Sequence, residues 1–568
     1  MPDKPRLKVV LCWHMHQPQY RDSLTHEYQL PWTYLHAIKD YTDMAALLED
    51  TPAARVVVNF APVLLEQIAD YAHQLNEFLT SRTPLNDPLL AALSAEKLPE
   101  ENGARSALVK SCLRINHEHL IHPFPHYRRL VDIAGRLEDD TEALNYLGEQ
   151  YFADLLMWYH LAWLGETVRR KNMTVRALLD KSYSFTLNDR LTLLSVIAEL
   201  LSGLLGRYRK LAECGQVELS MTPYAHPILP LLLDFSSARE AMPEVRLPVS
   251  SAYPGGEERV RWHIQHGMEV FHRHFGFTPQ GCWPSEGSVS DAALRTLDEF
   301  GFRWAASGEA VLYSSLTRHN KAEPANKAWL YRPYTVGAGK IATFFRDDGL
   351  SDLIGFTYCK WHADDAVGNL VSHLDSIAHT YDCNNSVVSI ILDGENAWEY
   401  YPNNGYYFLS ALYQRLSSHP QLEMTTFSAC LDQLPSTECL PSLVAGSWVY
   451  GNFSTWIGDD DKNRAWDRLC AAKHAYDSVL ASGRVTDEQR TALEQLMAIC
   501  EGSDWFWWFG GYNPADSVSD FELLFRRHLA NLYRSLGEAI PEELSLVLSR
   551  GSGAPAQGGV MRPGQESR

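Results

Sequence analysis

Two carboxylates, Glu286 and Asp393, each follow a short apolar run, a placement that suits acid, base or nucleophile chemistry. Residues 385–401 read Asn-Ser-Val-Val-Ser-Ile-Ile-Leu-Asp-Gly-Glu-Asn-Ala-Trp-Glu-Tyr-Tyr, so Val387 to Leu392 is expected to be a buried parallel strand that delivers Asp393 at its end. At the carboxyl end of a barrel strand an aspartate stands where loops converge on a substrate; a turn made with Gly394 is the plainer role for the same residue. Glu286 lies in Gly-Cys-Trp-Pro-Ser-Glu-Gly-Ser-Val-Ser-Asp, residues 281–291, between an extended piece ending at Pro284 and a helix expected from about Asp291. Ser288 or Ser290 caps that helix, and Leu294, Leu297 and Phe300 share one face. Trp283 offers a flat apolar wall, of the kind that stacks on a sugar ring or raises a carboxyl pKa by excluding water. Taken singly, a loop glutamate is as readily solvated surface.

Other polar loops follow strands in the same way. Leu7 to Cys12 reads as the first strand and leads into Trp13-His-Met-His-Gln-Pro-Gln-Tyr20. His14 and His16 share a face of extended chain, where they either ligate a metal, given further ligands, or hydrogen-bond to structure or substrate. Arg55 to Ala61 is the expected second strand and Val63 to Leu79 a helix. From about 83 to 212 apolar positions recur with helical period, an expected helical insertion between barrel strands. Within it, Asn116 to His126 holds four histidines, but its two prolines break any helix that would carry metal ligands. A strand around Gly215-Gln-Val-Glu218 leads to a proline-bounded loop with His226; Glu218 is either paired in the interior or aimed at a ligand. The alternation of strand, polar loop and helix is that of a barrel or a doubly wound sheet. After about residue 435 the texture becomes helical and aromatic, with Trp448 and Trp456 in an irregular loop. Asp504-Trp-Phe-Trp-Trp-Phe follows, which plugs a helical core or lines a site.

The composition is globular, with 45% hydrophobic and 21% charged residues, and rich in aromatics: 16 Trp, 27 Tyr and 21 Phe. A net charge of -20 argues against nucleic acid or an anionic membrane as partner, because phosphate contacts need clustered Lys and Arg. The ten cysteines are scattered with no C-x-x-C pair, so reduced thiols and a cytoplasmic location are the expectation. No transmembrane span is expected; the most apolar stretch, Leu191 to Leu205, is interrupted by Ser195, Glu199 and Ser202.

Five motifs, in order, resemble those of glycoside hydrolase family 57: His14-Met-His-Gln-Pro18, Gly215-Gln-Val-Glu218, Trp283-Pro-Ser-Glu286, the strand ending in Asp393, and Asp504-Trp-Phe-Trp507. The resemblance implies an α/β fold, an incomplete (β/α)7 barrel over 1–435 including the helical insertion, with a C-terminal α-helical domain over 436–548 closing the cleft. Residues 549–568, rich in Gly, Pro and polar residues, are the expected disordered tail. It also implies a retaining enzyme acting on α-glucans without metal or cofactor, with Glu286 as nucleophile and Asp393 as general acid/base. His14, His16, Gln17, Glu218, His226, Trp283, Trp448, Trp456, Asp504 and Trp507 are the implied substrate-binding residues. Glu395, a second acid at the same strand end, is assigned a structural or pKa-setting role. Pro284-Ser285 departs from the apolar-Ala pair of many family members. Hydrolysis and transfer to a sugar hydroxyl, as in a glucanotransferase or branching enzyme, share both carboxylates. A zinc-dependent deacetylase or mannosidase and a non-catalytic glucan-binding protein are the remaining classes; neither an evident Asp-His-His ligand set nor a lost carboxylate favours them.

Overall fold

The computed structural model describes residues 5–137, 141–323, 326–553 and 561–564. Seven parallel strands form a ring: β1 (Leu7–Met15), β2 (Val56–Phe60), β3 (Val217–Met221), β4 (Gly281–Cys282), β5 (Trp304–Gly308), β6 (Ala342–Arg346) and β7 (Val387–Asp393). Each pairs with the next, and β7 returns to β1 with His14 opposite Asp393. The seam between β6 and β7 is thin. It rests on one register pair, Arg346 with Ser389, reinforced by the Asp347 amide donating to Ser389 O at 2.8 Å and Arg346 Nε donating to Ile391 O at 2.8 Å.

Two-residue periodicity sorts each strand between two cores. Val10, Cys12, Val57, Trp304, Phe344 and Ile391 fill the barrel interior, while Val9, Leu11, Trp13, Val58 and Ile390 pack outward against helices. Gly281 in β4 is required by this interior: a Cβ there would lie 1.8 Å from the Trp304 ring. Because β1 turns Cys12 inward, it also turns His14 inward, two residues higher, and the same count along β7 turns Ile391 and Asp393 inward.

Helix Pro62–Ser81 starts on a proline at its first turn and ends at Arg82 in the left-handed region. Between β2 and β3 lie the helices expected over 83–212, ending with Leu187–Glu213, which opens on a Thr186/Asp189 capping box. This last helix is long and apolar enough to cross a membrane by length and composition, yet Leu193, Leu194, Ile197, Leu201 and Leu204 are buried in the core. The histidine-rich 116–126 stretch is structural: Leu120 and Ile121 are buried, and the His126 ring stacks near Trp158.

After β7, helices Asp460–Ala481, Asp487–Cys500 and Ala515–Leu536 pack together and back onto the barrel. The joint is electrostatic as well as apolar. Glu501, fully buried, takes bonds from Arg259 Nε (2.9 Å), His263 Nε2 (2.8 Å) and the Tyr253 hydroxyl (2.5 Å). Burial alone would raise its pKa, but Arg259 and His263 outweigh it and hold the carboxyl near 2. Where the composition predicts a disordered tail, residues 549–553 and 561–564 are packed, with Gly553 N donating to Asn513 O at 3.0 Å and Gly564 N to Asp352 Oδ2 at 3.0 Å. Small residues let this segment approach other backbone closely, so hydrogen bonds rather than apolar burial hold it. The remaining tail residues lie outside the described ones.

Candidate active site

A cavity of about 410 Å³ opens at the carboxyl ends of the strands, and both carboxylates line it. Glu286 sits just beyond β4 in a tight turn with φ 59°, followed by Gly287 at φ 57°. A left-handed glutamate is a backbone conformation that costs about 1 kcal/mol or more, and it is held here by its surroundings. The Trp448 amide donates to Glu286 O at 3.1 Å, and the Trp448 indole N–H donates to Glu286 Oε2 at 3.1 Å. A short antiparallel bridge between Val289 and Gly446 brings these two segments together. Gly308, at the end of β5, leaves room for Trp448, whose Cα would lie 2.7 Å from any Cβ there.

Asp393 ends β7 and accepts a bond from Asn396 Nδ2 at 3.1 Å. The two carboxyls share one low-dielectric site. Burial and then the Asp393 charge lift Glu286 to about 8, against the opposing Trp448 N–H and Arg562 charge. Burial likewise lifts Asp393 to about 6, against the Asn396 bond and the nearby Arg346 guanidinium. Between these values the pair holds one proton. Glu395 is also buried and pushed well above its ordinary range, first by burial and then by the Asp393 charge. Its Oε1 accepts from the His16 amide (3.2 Å) and from Gln17 Nε2 (3.1 Å), which ties the loop after β1 to the loop after β7.

A histidine relay runs beside Glu286. Asn59 Oδ1 stands 2.7 Å from His14 Nδ1, so His14 carries its proton there and presents Nε2 to His226 Nε2 at 3.1 Å. His226 therefore donates from Nε2 and accepts the Ser503 hydroxyl at Nδ1, 2.8 Å away. Burial keeps both rings neutral, with His14 lowered to about 3 and His226 well below its ordinary value. His226 Nδ1 is 3.9 Å from Glu286 Oε1, too far for a bond. His16 stacks on His226 with ring centroids 3.8 Å apart and bonds Asp504 Oδ1 through Nε2 at 2.8 Å.

Among the described residues, His16, His226 and Asp504 form a group of possible metal ligands whose donor atoms lie within 4.8 Å of one another. The two imidazoles are parallel to within 12°, so their in-plane lone pairs do not converge on one point. Tetrahedral zinc needs convergent donors, and this arrangement does not supply them.

Of the residues singled out from sequence, His14, His16, Gln17, His226, Glu286, Asp393, Trp448, Asp504 and Trp507 come together around the cavity. Three do not reach it. Glu218 lies three residues below the end of β3, inside the barrel, where it accepts from Trp304 Nε1 (2.7 Å) and Ser428 Oγ (2.6 Å). Trp283 points into the barrel, fully buried behind Trp448 with ring centroids 5.1 Å apart, so it is a support rather than a stacking wall. Trp456 is fully buried beside Trp507 at 6.0 Å. Sequence reasoning passed over Asn59, Asn396, Ser503, Arg346 and Arg562. Asn59 had a readable signal, a lone amide in the strand Val-Val-Val-Asn-Phe; Arg562 had none.

A comparison with curated protein sequences gives no match. Among solved structures, the chain is similar to a branching enzyme of Pyrococcus horikoshii (17% identity, TM-score 0.57, covering 95% of this chain and 93% of that one). It is similar too to a branching enzyme of Thermococcus kodakaraensis (16%, 0.55, 93% and 90%). A third likeness is to an α-amylase of Thermotoga maritima (15%, 0.54, 95% and 95%). At these identities the likeness is one of fold. The sequence model of glycosyl hydrolase family 57 matches residues 10–442, a span that holds His14, Glu286 and Asp393, and the chain belongs to that family.

Proposed function

We propose that this protein cleaves or rearranges α-glucans with retention of configuration, through a glycosyl intermediate on Glu286. Its carboxylate attacks the anomeric carbon as the glycosidic C–O bond breaks, and the leaving oxygen takes the proton of Asp393. Asp393, now ionised, takes a proton from water or from an incoming sugar hydroxyl, whose oxygen displaces Glu286 and restores the α configuration. The observation that carries this reading is the placement of Glu286 and Asp393 in one cavity with coupled charges. His16, His226 and Asp504 offer polar contacts to sugar hydroxyls, and Trp448 offers an apolar ring face. Whether α-1,4 or also α-1,6 bonds are handled follows from which acceptor binds opposite Asp393.

One observation favours a second reading, in which Glu286 is the acid and Asp393 the nucleophile. Burial and the Asp393 charge raise Glu286 further above its ordinary range than burial raises Asp393, a direction that suits an acid. Incubation with maltoheptaose, with the anomeric protons followed by NMR, tests the reaction: an α first product is expected, and a β first product would refute retention. On glucosyl fluoride, which needs no leaving-group proton, Asp393→Ala is expected to keep far more activity than Glu286→Ala, and azide should rescue it. The reverse pattern would exchange the roles.

A further inference from the structure

Residues 561–564 cross the rim of the cavity. The Arg562 guanidinium lies 4.6 Å from the Trp507 ring and 4.7 Å from the Tyr512 ring, and donates to Thr455 Oγ1 and Asn513 Oδ1, both at 3.3 Å. Gly564 accepts from the Tyr450 amide at 3.0 Å and donates to Asp352 Oδ2 at 3.0 Å. A Cβ on Gly564 would meet the Asp348 carboxyl carbon at 2.5 Å, so the chain is seated tightly there. Upstream, Ser552 and Gly553 bond Gly511 O and Asn513 O. The segment thus joins three rim loops, near 352, 450–455 and 511–513, and Met561, Arg562 and Gly564 line the same cavity as Glu286 and Asp393.

Trp507 belongs to the site by position. It lies one helical turn from Asp504, which holds His16. An indole face next to catalytic carboxylates is a platform for a sugar ring, and a planar guanidinium competes for the same face. The two cannot occupy it together.

We propose that Met561–Gly564 is a specificity-determining wall of the cleft: Arg562, laid on Trp507, closes the sugar subsite at that face and biases the enzyme toward short glucan segments. This rests on the α-glucan reading above. Displacing the wall admits a longer chain, so the segment sets how much glucan is engaged at once. Arg562 also places positive charge near Glu286, which separates charge from shape in the test. Arg562→Lys keeps the charge but loses the planar stack.

The test compares the full chain, a chain ending at Gly553, and full-length Arg562→Lys. For each, kcat/KM is measured on maltotriose and on maltoheptaose at that protein's own pH optimum. Both variants are expected to raise the maltoheptaose-to-maltotriose ratio about tenfold, the size of one stacked cation displaced. An unchanged or lower ratio in Arg562→Lys overturns the wall, whether or not the shortened chain folds. Hydroxyl-radical footprinting read at Trp507 needs no sugar. Greater oxidation of Trp507 in the variants upholds the covering of that face, and equal oxidation overturns it. A wild-type chain that turns over neither these sugars nor amylose refutes the α-glucan reading, and the footprint then decides the covering by itself.

Discussion

Trp448→Phe tests the proton on the carboxyl pair. The substitution keeps an aromatic ring but removes the N–H that donates to Glu286 Oε2 at 3.1 Å. A hydrogen bond to a charged acceptor is worth about 1.5–3 kcal/mol, and the low end suits this partly buried contact. Losing about 1.5 kcal/mol from the ionised form raises the Glu286 pKa by about one pH unit. With Glu286 at about 8 and Asp393 at about 6, the pair loses its last proton from Glu286 and its first from Asp393. The alkaline limb of kcat/KM against pH is therefore expected to move up by about one unit, while the acid limb stays. The height of the plateau then separates the roles. If Glu286 is the nucleophile, the working state carries the proton on Asp393, and Trp448→Phe, by favouring the proton on Glu286, lowers the plateau. If Glu286 is the acid, the substitution favours the working state and the plateau holds. The assay is a pH profile on maltoheptaose, paired with a fluoride substrate. An alkaline limb that stays put or moves down would refute the picture of Trp448 steadying the ionised carboxylate.

Five further outcomes are expected. Glu218→Gln should lower stability by about 1–3 kcal/mol in urea, through the Trp304 and Ser428 bonds it weakens, while kcat/KM of the folded protein is unchanged; a raised KM would place Glu218 in the site after all. Burial and the Asp393 charge disfavour the ionised form of Glu395, so Glu395→Gln should keep activity within about tenfold, in contrast to Asp393→Asn, and a loss as deep as that of Asp393→Asn would show that Glu395 ionises in turnover. Arg259→Ala strands a buried carboxylate and should cost about 3–5 kcal/mol by chemical denaturation. The pH sign follows from the depressed Glu501 value: its contribution is complete above the ordinary glutamate range and fades as pH falls from about 4.5 toward 2, so Glu501→Gln should flatten that part of the stability curve. Activity should survive exhaustive chelation, as the parallel His16 and His226 rings imply; loss with EDTA and recovery with zinc would contradict it.

The strands and the two carboxylates were legible because each is a local pattern. Val387 to Leu392 could be little else than a buried strand, and the residue that ends it had to stand at the rim. Helix Asp291–Glu299 begins with Ser290 as its cap, as the serines before it indicated. What could not be read is which way a side chain faces once a strand is short. β4 has two residues, too few to show a period, so nothing local told that Trp283 turns into the barrel while Glu286 stays at the rim. Glu218 is the same problem in the other direction: its strand was visible, but its height in the barrel depends on where β3 registers against β2. The contacts of residues 549–553 and 561–564 were hidden for a different reason. Their glycines lower the density of apolar side chains, which composition reads as disorder, whereas here they permit backbone to lie against Tyr512 and Asp348. The left-handed φ of Glu286 and His226 also left no trace in sequence, since both are imposed by loops that arrive from elsewhere.

The bond between His16 and Asp504 spans 488 positions of chain. During synthesis at about 5–20 residues per second, the ribosome makes Asp504 roughly 25–100 s after His16. In that interval every barrel strand has emerged, yet the cleft lacks Asp504, Ser503 and Trp507. On the proposed reading a nascent chain is therefore expected to be a scaffold without turnover until its last helices arrive.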